Sequence, residues 1–120
     1  MPQTALVVLA HPEARSFNAQ MAEVARGTLA GRCWRVLESD LYRQGFDPRE
    51  GAAHFSERAD PSRFDTQAEQ RSAWEAGKLP ADVKAEVEKV MAADLIVLQF
   101  PVWWFGMPAM LKGWIDRVLV

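Results

Sequence analysis

The chain has 120 residues, 49% of them apolar and 25% charged, with a formal net charge of −2. That length allows one domain at most, and the balance is the ordinary one of a soluble globular protein. Interspersed charge of both signs argues against a nucleic-acid partner, which would favour a basic stripe or patch, and no apolar run approaches the roughly 20 residues that span a bilayer.

Ala5 to Ala10 (ALVVLA) is an unbroken apolar run, the pattern of a strand buried on both faces of a parallel sheet. It begins so close to Met1 that there is no room for a signal peptide, and the single cysteine, Cys33, cannot form an internal disulfide. Both features point to the reducing cytoplasm. His11-Pro12 ends the strand, because proline disfavours helix at the residue before it. Ser16 then reads as the N-cap of a helix over about 17–30. Phe17, Met21, Val24 and Thr28 recur at helical spacing and predict its inward face, and Gly31 is its expected stop. A second strand is expected over Trp34 to Glu38, followed by Asp40, Leu41 and Tyr42.

Residues 43–79 lose periodicity and carry Gly45, Pro48, Gly51, Pro61 and Gly77 as breakers. This is too long for an ordinary connection, so a functional excursion with short helical pieces is expected, Glu69 to Ala76 among them. Asp60-Pro61 and Asp65 are read there as turn-formers. Pro80 to Ala93 predicts a helix with Val83, Val87 and Val90 on one face and a Lys84–Glu88 pair on the other. Leu95 to Leu98 is expected as a third buried strand. Gln99 to Met107 (QFPVWWFGM) predicts a rigid aromatic loop, and Pro108 opens a last helix with Leu111, Trp114, Ile115 and Val118 facing in. That helix runs to Val120 without a stop signal, so the chain is expected to be the N-terminal part of a longer one.

Strands alternating with helices imply an α/β, doubly wound parallel sheet with crossover connections. In such sheets ligands bind outside the carboxyl ends of the strands, where strand order reverses. For a doubly wound order of 2-1-3-4-5, that point lies between strands 1 and 3, and that order would bring together HPEARSFN and PVWWFG. Ser16, Phe17 and Asn18 sit at a helix N-terminus, where free N–H groups and the helix dipole favour an anion. His11 could add an imidazole N–H. No glycine-rich phosphate loop is present. Pro101, Val102, Trp103, Trp104 and Phe105 offer a flat apolar wall and backbone N–H groups, both of which an isoalloxazine ring needs. Plainer readings stand beside these: a structural strand-end histidine, a cap and nothing else at Ser16, and aromatics serving as core or as a dimer patch. Three successive aromatics between Pro101 and Gly106 cannot, however, all point inward. Trp114 is assigned to the core, and Cys33 is either a small buried residue or an inert surface thiol.

LAHPEARSFN, ESDLY, DPSRFD, AWEAGKL, AADLIVLQFP and WWFGMPAMLKGWIDRV together resemble the NAD(P)H:quinone oxidoreductase family of DT-diaphorase type, from Ala5 to Val120. The resemblance implies a flavodoxin-like fold of strand order 2-1-3-4-5, of which this chain supplies strands 1–3. It implies a flavin, FAD by the length of the excursion, with FMN as the other option. The residues matching His11, Phe17 and Asn18 hold its phosphates, with Ser16 in the same loop. Those matching Val102, Trp103, Trp104 and Phe105 line the ring, with Pro101 shaping the turn, and Trp104 and Phe105 also wall the quinone and nicotinamide pocket. No metal site is implied. Two positions depart from the animal enzymes. Trp103 replaces a Gln, and Asp65 stands where a Gln contacts FAD, so that contact is not carried over. The implied activity is two-electron hydride transfer from NAD(P)H through flavin to a quinone, by a cytoplasmic homodimer whose assisting Tyr and His lie beyond Val120. An ancillary flavin-binding subunit of a potassium-efflux transporter is the alternative. A one-electron flavodoxin carrier is disfavoured, because the chain is neither strongly acidic nor provided with a T-x-T-G loop.

Overall fold

The computed structural model describes residues 2–119. Three parallel strands, β1 (Thr4–Leu9), β2 (Arg35–Asp40) and β3 (Leu95–Gln99), form one sheet in the order β2-β1-β3. β1 takes the centre because its residues from Ala5 onward are apolar enough to be buried on either face, and all six of the strand, Thr4 included, are buried. Leu6, Val8 and Ala10 point to one side. There they pack against Leu41, Phe46, Leu111, Trp114 and Val118. Val7 and Leu9 point to the other, against α1 (Phe17–Gly31).

The helices divide accordingly. α1 links β1 to β2 on one face, while α4 (Ala81–Ala92) and α5 (Ala109–Val118) lie on the other. The first crossover runs from β1 to β2 and the second runs back from β2 past β1 to β3, and two crossovers of one hand that move in opposite directions must use opposite faces. The strand order therefore reverses between β1 and β3. Register makes the reversal functional, since Leu9 pairs with both Asp40 and Gln99 and the three strands end level.

The excursion folds as α2 (Leu41–Gln44), a single 3-10 turn (Ala52–His54) and α3 (Thr66–Ala76). It is fastened by one buried carboxylate. Glu69 accepts from the N–H groups of Ala59 (2.7 Å) and Asp60 (3.2 Å) and from Arg58 Nε (3.1 Å). Asp65 caps α3 by accepting from Ala68 N, and Asp60 turns the chain by accepting from Ser62 N, in keeping with their reading as turn-formers. Gly113 of α5 lies so close to Pro48 that a Cβ there would overlap its backbone, which holds α5 against the excursion. Arg117 completes that seam. It pairs with Asp82 (2.7 Å), donates to the Asp47 carbonyl and lies over the Phe46 ring.

Four expectations need correction. The Phe17, Met21, Val24 and Thr28 stripe does not face the sheet, and Phe17 and Val24 are 73% and 59% exposed. The small residues Ala19 and Ala22, with Leu29, face it instead, because they let the helix axis come close to the branched side chains of β1. α1 does end at Gly31, but its left-handed terminating residue is Cys33 (φ 66°), which is exposed. β3 is an edge strand: Leu95, Ile96 and Leu98 are all exposed, since only β1 flanks it among the described residues. The Lys84–Glu88 pair does not form, and Lys89 bonds the buried Glu86 instead. The β2 strand runs to Asp40, two residues beyond its expected end. Val120, where the sequence reading has the last helix still running, lies outside the described residues.

Candidate functional site

At the carboxyl end of the sheet the loop after β1 and the loop after β3 meet. Ala10 N donates to the Gln99 carbonyl (3.0 Å), extending the β1–β3 ladder one residue past the strands. Gln99 Nε2 donates to Asn18 Oδ1 (2.8 Å), tying the end of β3 to the first turn of α1. The His11 ring stands edge-on to the Trp103 indole, with centroids 5.9 Å apart and planes at 63°. These contacts span more than eighty residues of sequence, and they bring HPEARSFN and PVWWFG together at the carboxyl end of the sheet.

The β1 side is a donor cluster. Ser16 is the N-cap of α1 and its Oγ accepts from Ala19 N (3.1 Å). Gln20 N bonds back to the Ser16 carbonyl. Among the described residues the N–H groups of Phe17 and Asn18 have no partner in the protein. They stand at the positive end of a fifteen-residue helix with no acidic residue in its first turn. His11 Nδ1 accepts from Glu13 N (3.0 Å), so Nε2 is the nitrogen left to donate outward. The group chemistry here is that of an anion site.

The β3 side is a strained apolar turn. Trp103 and Gly106 exchange both backbone hydrogen bonds (2.9 and 3.1 Å), closing a two-residue hairpin around Trp104 and Phe105. Both central residues hold positive φ, 50° and 64°. That is the mirror-image turn normally given to Asn-Gly. Two bulky aromatics in the left-handed region are costly, and such strain clusters at functional sites. Their side chains gain nothing by burial within the chain, being 94% and 95% exposed, with Trp103 at 42% and Val102 at 71%. The aromatics are therefore not core. The N–H groups of Val102, Trp104 and Phe105 are without partners among the described residues.

On the far side of the loop after β1, a cleft of about 620 Å³ opens between the β1 and β2 ends, lined by His11, Pro12, Glu13, Asp40, Tyr42 and Arg43 among others. The aromatic turn does not reach it, and of the residues singled out from the sequence only His11 lines it. All nine residues singled out from the sequence lie on the two loops or the helix start between them: His11, Ser16, Phe17, Asn18, Pro101, Val102, Trp103, Trp104 and Phe105. Phe17 is placed by its backbone, its ring being turned to solvent. Sequence reasoning passed over Gln99. Its signal was available, as the one polar residue closing an otherwise apolar strand, LIVLQ.

The sequence profile of the flavodoxin-like fold matches residues 3–120. The chain belongs to this flavodoxin-like family. Among curated relatives it is 46% identical over 117 residues to NAD(P)H dehydrogenase [quinone] 1 of Rattus norvegicus, covering 97% of this chain and 43% of that protein. It is 41% identical over 115 residues to ribosyldihydronicotinamide dehydrogenase [quinone] of Pongo abelii, covering 95% and 50%. The chain thus spans about half the length of the curated relatives it matches. Among solved structures, one from Klebsiella pneumoniae classed with the quinone reductases superposes with a TM-score of 0.92 at 36% identity, covering 97% of this chain and 45% of its own. NAD(P)H:quinone oxidoreductase from Methanothermobacter marburgensis gives 0.78 at 28%, covering 98% and 54%. Membership of the flavodoxin-like family agrees with the three-stranded order β2-β1-β3 seen here.

Proposed function

We propose that this chain forms the phosphate grip and one ring wall of a flavin site, in a protein that passes two electrons as hydride from NAD(P)H to a quinone. The observation that carries the reading is the meeting of the two loops at His11 and Trp103. It sets an anion-binding helix start beside a flat apolar turn, and a flavin nucleotide carries both complements, a phosphate and a planar ring. The donor set fits the group. Phe17 N, Asn18 N and His11 Nε2 are free to donate to phosphate, and Val102 N, Trp104 N and Phe105 N are free to donate to ring heteroatoms. When bound, the flavin supplies the hydride-accepting and hydride-donating centre. The chain's own task is to hold and orient it. Ser16 fixes the helix start, Pro101 shapes the turn, and Trp104 and Phe105, projecting from that turn, offer surface against which nicotinamide and quinone would stack in alternation.

FAD is favoured over FMN on the excursion's length. A cytoplasmic homodimer belongs to the same reading. The relatives' names support quinone reduction and lend nothing to a transporter subunit. The decisive experiment expresses the complete reading frame and identifies the released cofactor by mass. Steady-state oxidation of NADH and NADPH is then followed with menadione as acceptor. Stoichiometric FAD and turnover with two-electron stoichiometry are expected. A colourless protein that neither binds added flavin nor oxidises either nucleotide would overturn the proposal.

A further inference from the structure

An asparagine amide presents two unlike ends, and only Nδ2 can donate to an anion. Which end of Asn18 faces the helix start is therefore a question of what holds the other. Gln99 answers it. Its Nε2 donates to Asn18 Oδ1 at 2.8 Å, and this is the only side-chain hydrogen bond between the two loop segments among the described residues. Gln99 is itself fixed. It ends β3, pairs with Leu9, and its carbonyl accepts from Ala10 N. A donor carried on a strand is held more precisely than one on a loop. With Oδ1 occupied, the two hydrogens of Nδ2 are left without a partner among the described residues, beside the free N–H groups of Phe17 and Asn18.

We infer that Gln99 is a positioning residue for the anion site, locking the Asn18 amide so that its donor end serves the flavin phosphate. This rests on the flavin reading above. It adds a residue that never touches the ligand and acts only through Asn18. The effect is confined to ligands that carry a phosphate, which separates it from a bond that merely ties α1 to the sheet.

The test uses the complete protein stripped of flavin, titrated by fluorescence quenching with FAD, FMN and riboflavin. Gln99→Leu removes the lock. FAD and FMN are expected to bind roughly 3- to 10-fold more weakly, a typical cost of losing one modest hydrogen bond, while riboflavin affinity is unchanged. Gln99→Glu is nearly isosteric but can only accept. It draws Asn18 Nδ2 toward itself, turns Oδ1 to the phosphate, and is expected to cost more than Gln99→Leu, again sparing riboflavin. In an Asn18→Ala background, Gln99→Leu adds no further loss. The phosphorus NMR shift of bound FMN moves in both single variants. Equal weakening of riboflavin and FMN, or full additivity with Asn18→Ala, overturns the inference and leaves Gln99 a structural tie. Riboflavin binding as tightly as FMN in the unmodified protein overturns the phosphate site itself, and with it this inference. Because Gln99→Glu keeps the size and polarity of the native residue, it still tests the lock if Gln99→Leu misfolds.

Discussion

Trp104 and Phe105 sit in the left-handed region with two of the bulkiest side chains available, at φ 50° and 64°. Each such residue costs on the order of 1–2 kcal/mol relative to its relaxed conformation. Nothing in the chain offsets this, since both rings are almost wholly exposed. On the proposed function, the strain serves what the rings do for a ligand. Replacing the pair with Trp104→Asn and Phe105→Gly installs the residues that this turn prefers. Glycine returns part of the gain through the entropy of the unfolded chain, about 0.5–1 kcal/mol. The double variant is expected to be more stable by about 1–2 kcal/mol, a rise of several degrees in Tm by circular dichroism. It is also expected to lose most of its affinity for riboflavin, which has the ring and no phosphate. A lower Tm would mean that the rings pack against something after all, and unchanged riboflavin affinity would remove them from the ring site.

Each helix and strand owes its place to local signals that the sequence carries openly, and its orientation to packing that the sequence does not. The apolar run of β1, the Ser16 cap and the Pro-initiated starts of α4 and α5 are all readable, and so is the alternation that makes the sheet parallel. The inward face of α1 is not, because two stripes compete, and close approach to the sheet selects the smaller, Ala19 and Ala22, over the more apolar Phe17 and Val24. The excursion resists reading for a related reason. Its shape depends on Glu69 collecting donors from Arg58, Ala59 and Asp60, a contact with no periodic signature. Of the site, the two loops are legible from residue type and strand order, while the Gln99–Asn18 link emerges only when the ends of β3 and β1 are seen to be level. The packing of α4 carries a similar long-range device. Glu86, buried beneath the sheet, accepts from Ser39 Oγ (2.5 Å), Trp114 Nε1 (2.9 Å), Lys89 Nζ (3.0 Å) and Gln44 Nε2 (3.3 Å). Burial pushes its carboxyl up, but the bonds from Ser39, Trp114 and Lys89, with the charge of Lys89, outweigh it and hold the group below its ordinary value. A depressed folded-state value means the carboxylate stabilises fully above the unfolded pKa of about 4.3. That contribution is lost as pH falls through the folded value. Stability from urea titrations is thus expected to decline from about pH 5 downward. Glu86→Gln should cost about 1.5–3 kcal/mol at pH 7 and flatten that decline. An equally steep decline in the variant would assign the acid sensitivity elsewhere, with Asp82, held down by Arg117 against its own burial, as the next group to test.

At the scale of the molecule, the sheet is finished on one side of β3 and bare on the other. Leu95, Ile96 and Leu98 are exposed on an edge whose backbone groups face outward. Phe17, Met21 and Val24 leave a second apolar stripe open on α1. An uncovered, apolar edge strand is a template for pairing with another chain. The curated relatives named above are about twice as long as this chain. We propose that a further parallel strand of the complete protein covers this edge, continuing the order to 2-1-3-4. Ile96 and Leu98 share the face of Leu6 and Val8, so the same substitution tests the edge in two settings. Residues 1–120 expressed alone are expected to self-associate at micromolar concentration by light scattering, and Ile96→Lys with Leu98→Lys should return them to monomers, since charge on an edge opposes pairing. In the protein from the complete reading frame the same pair should be destabilising by roughly 3–5 kcal/mol, the cost of burying charge without a partner. If the substitutions leave the complete protein's stability unchanged, the β3 edge faces solvent there too, and the sheet ends at three strands on this side.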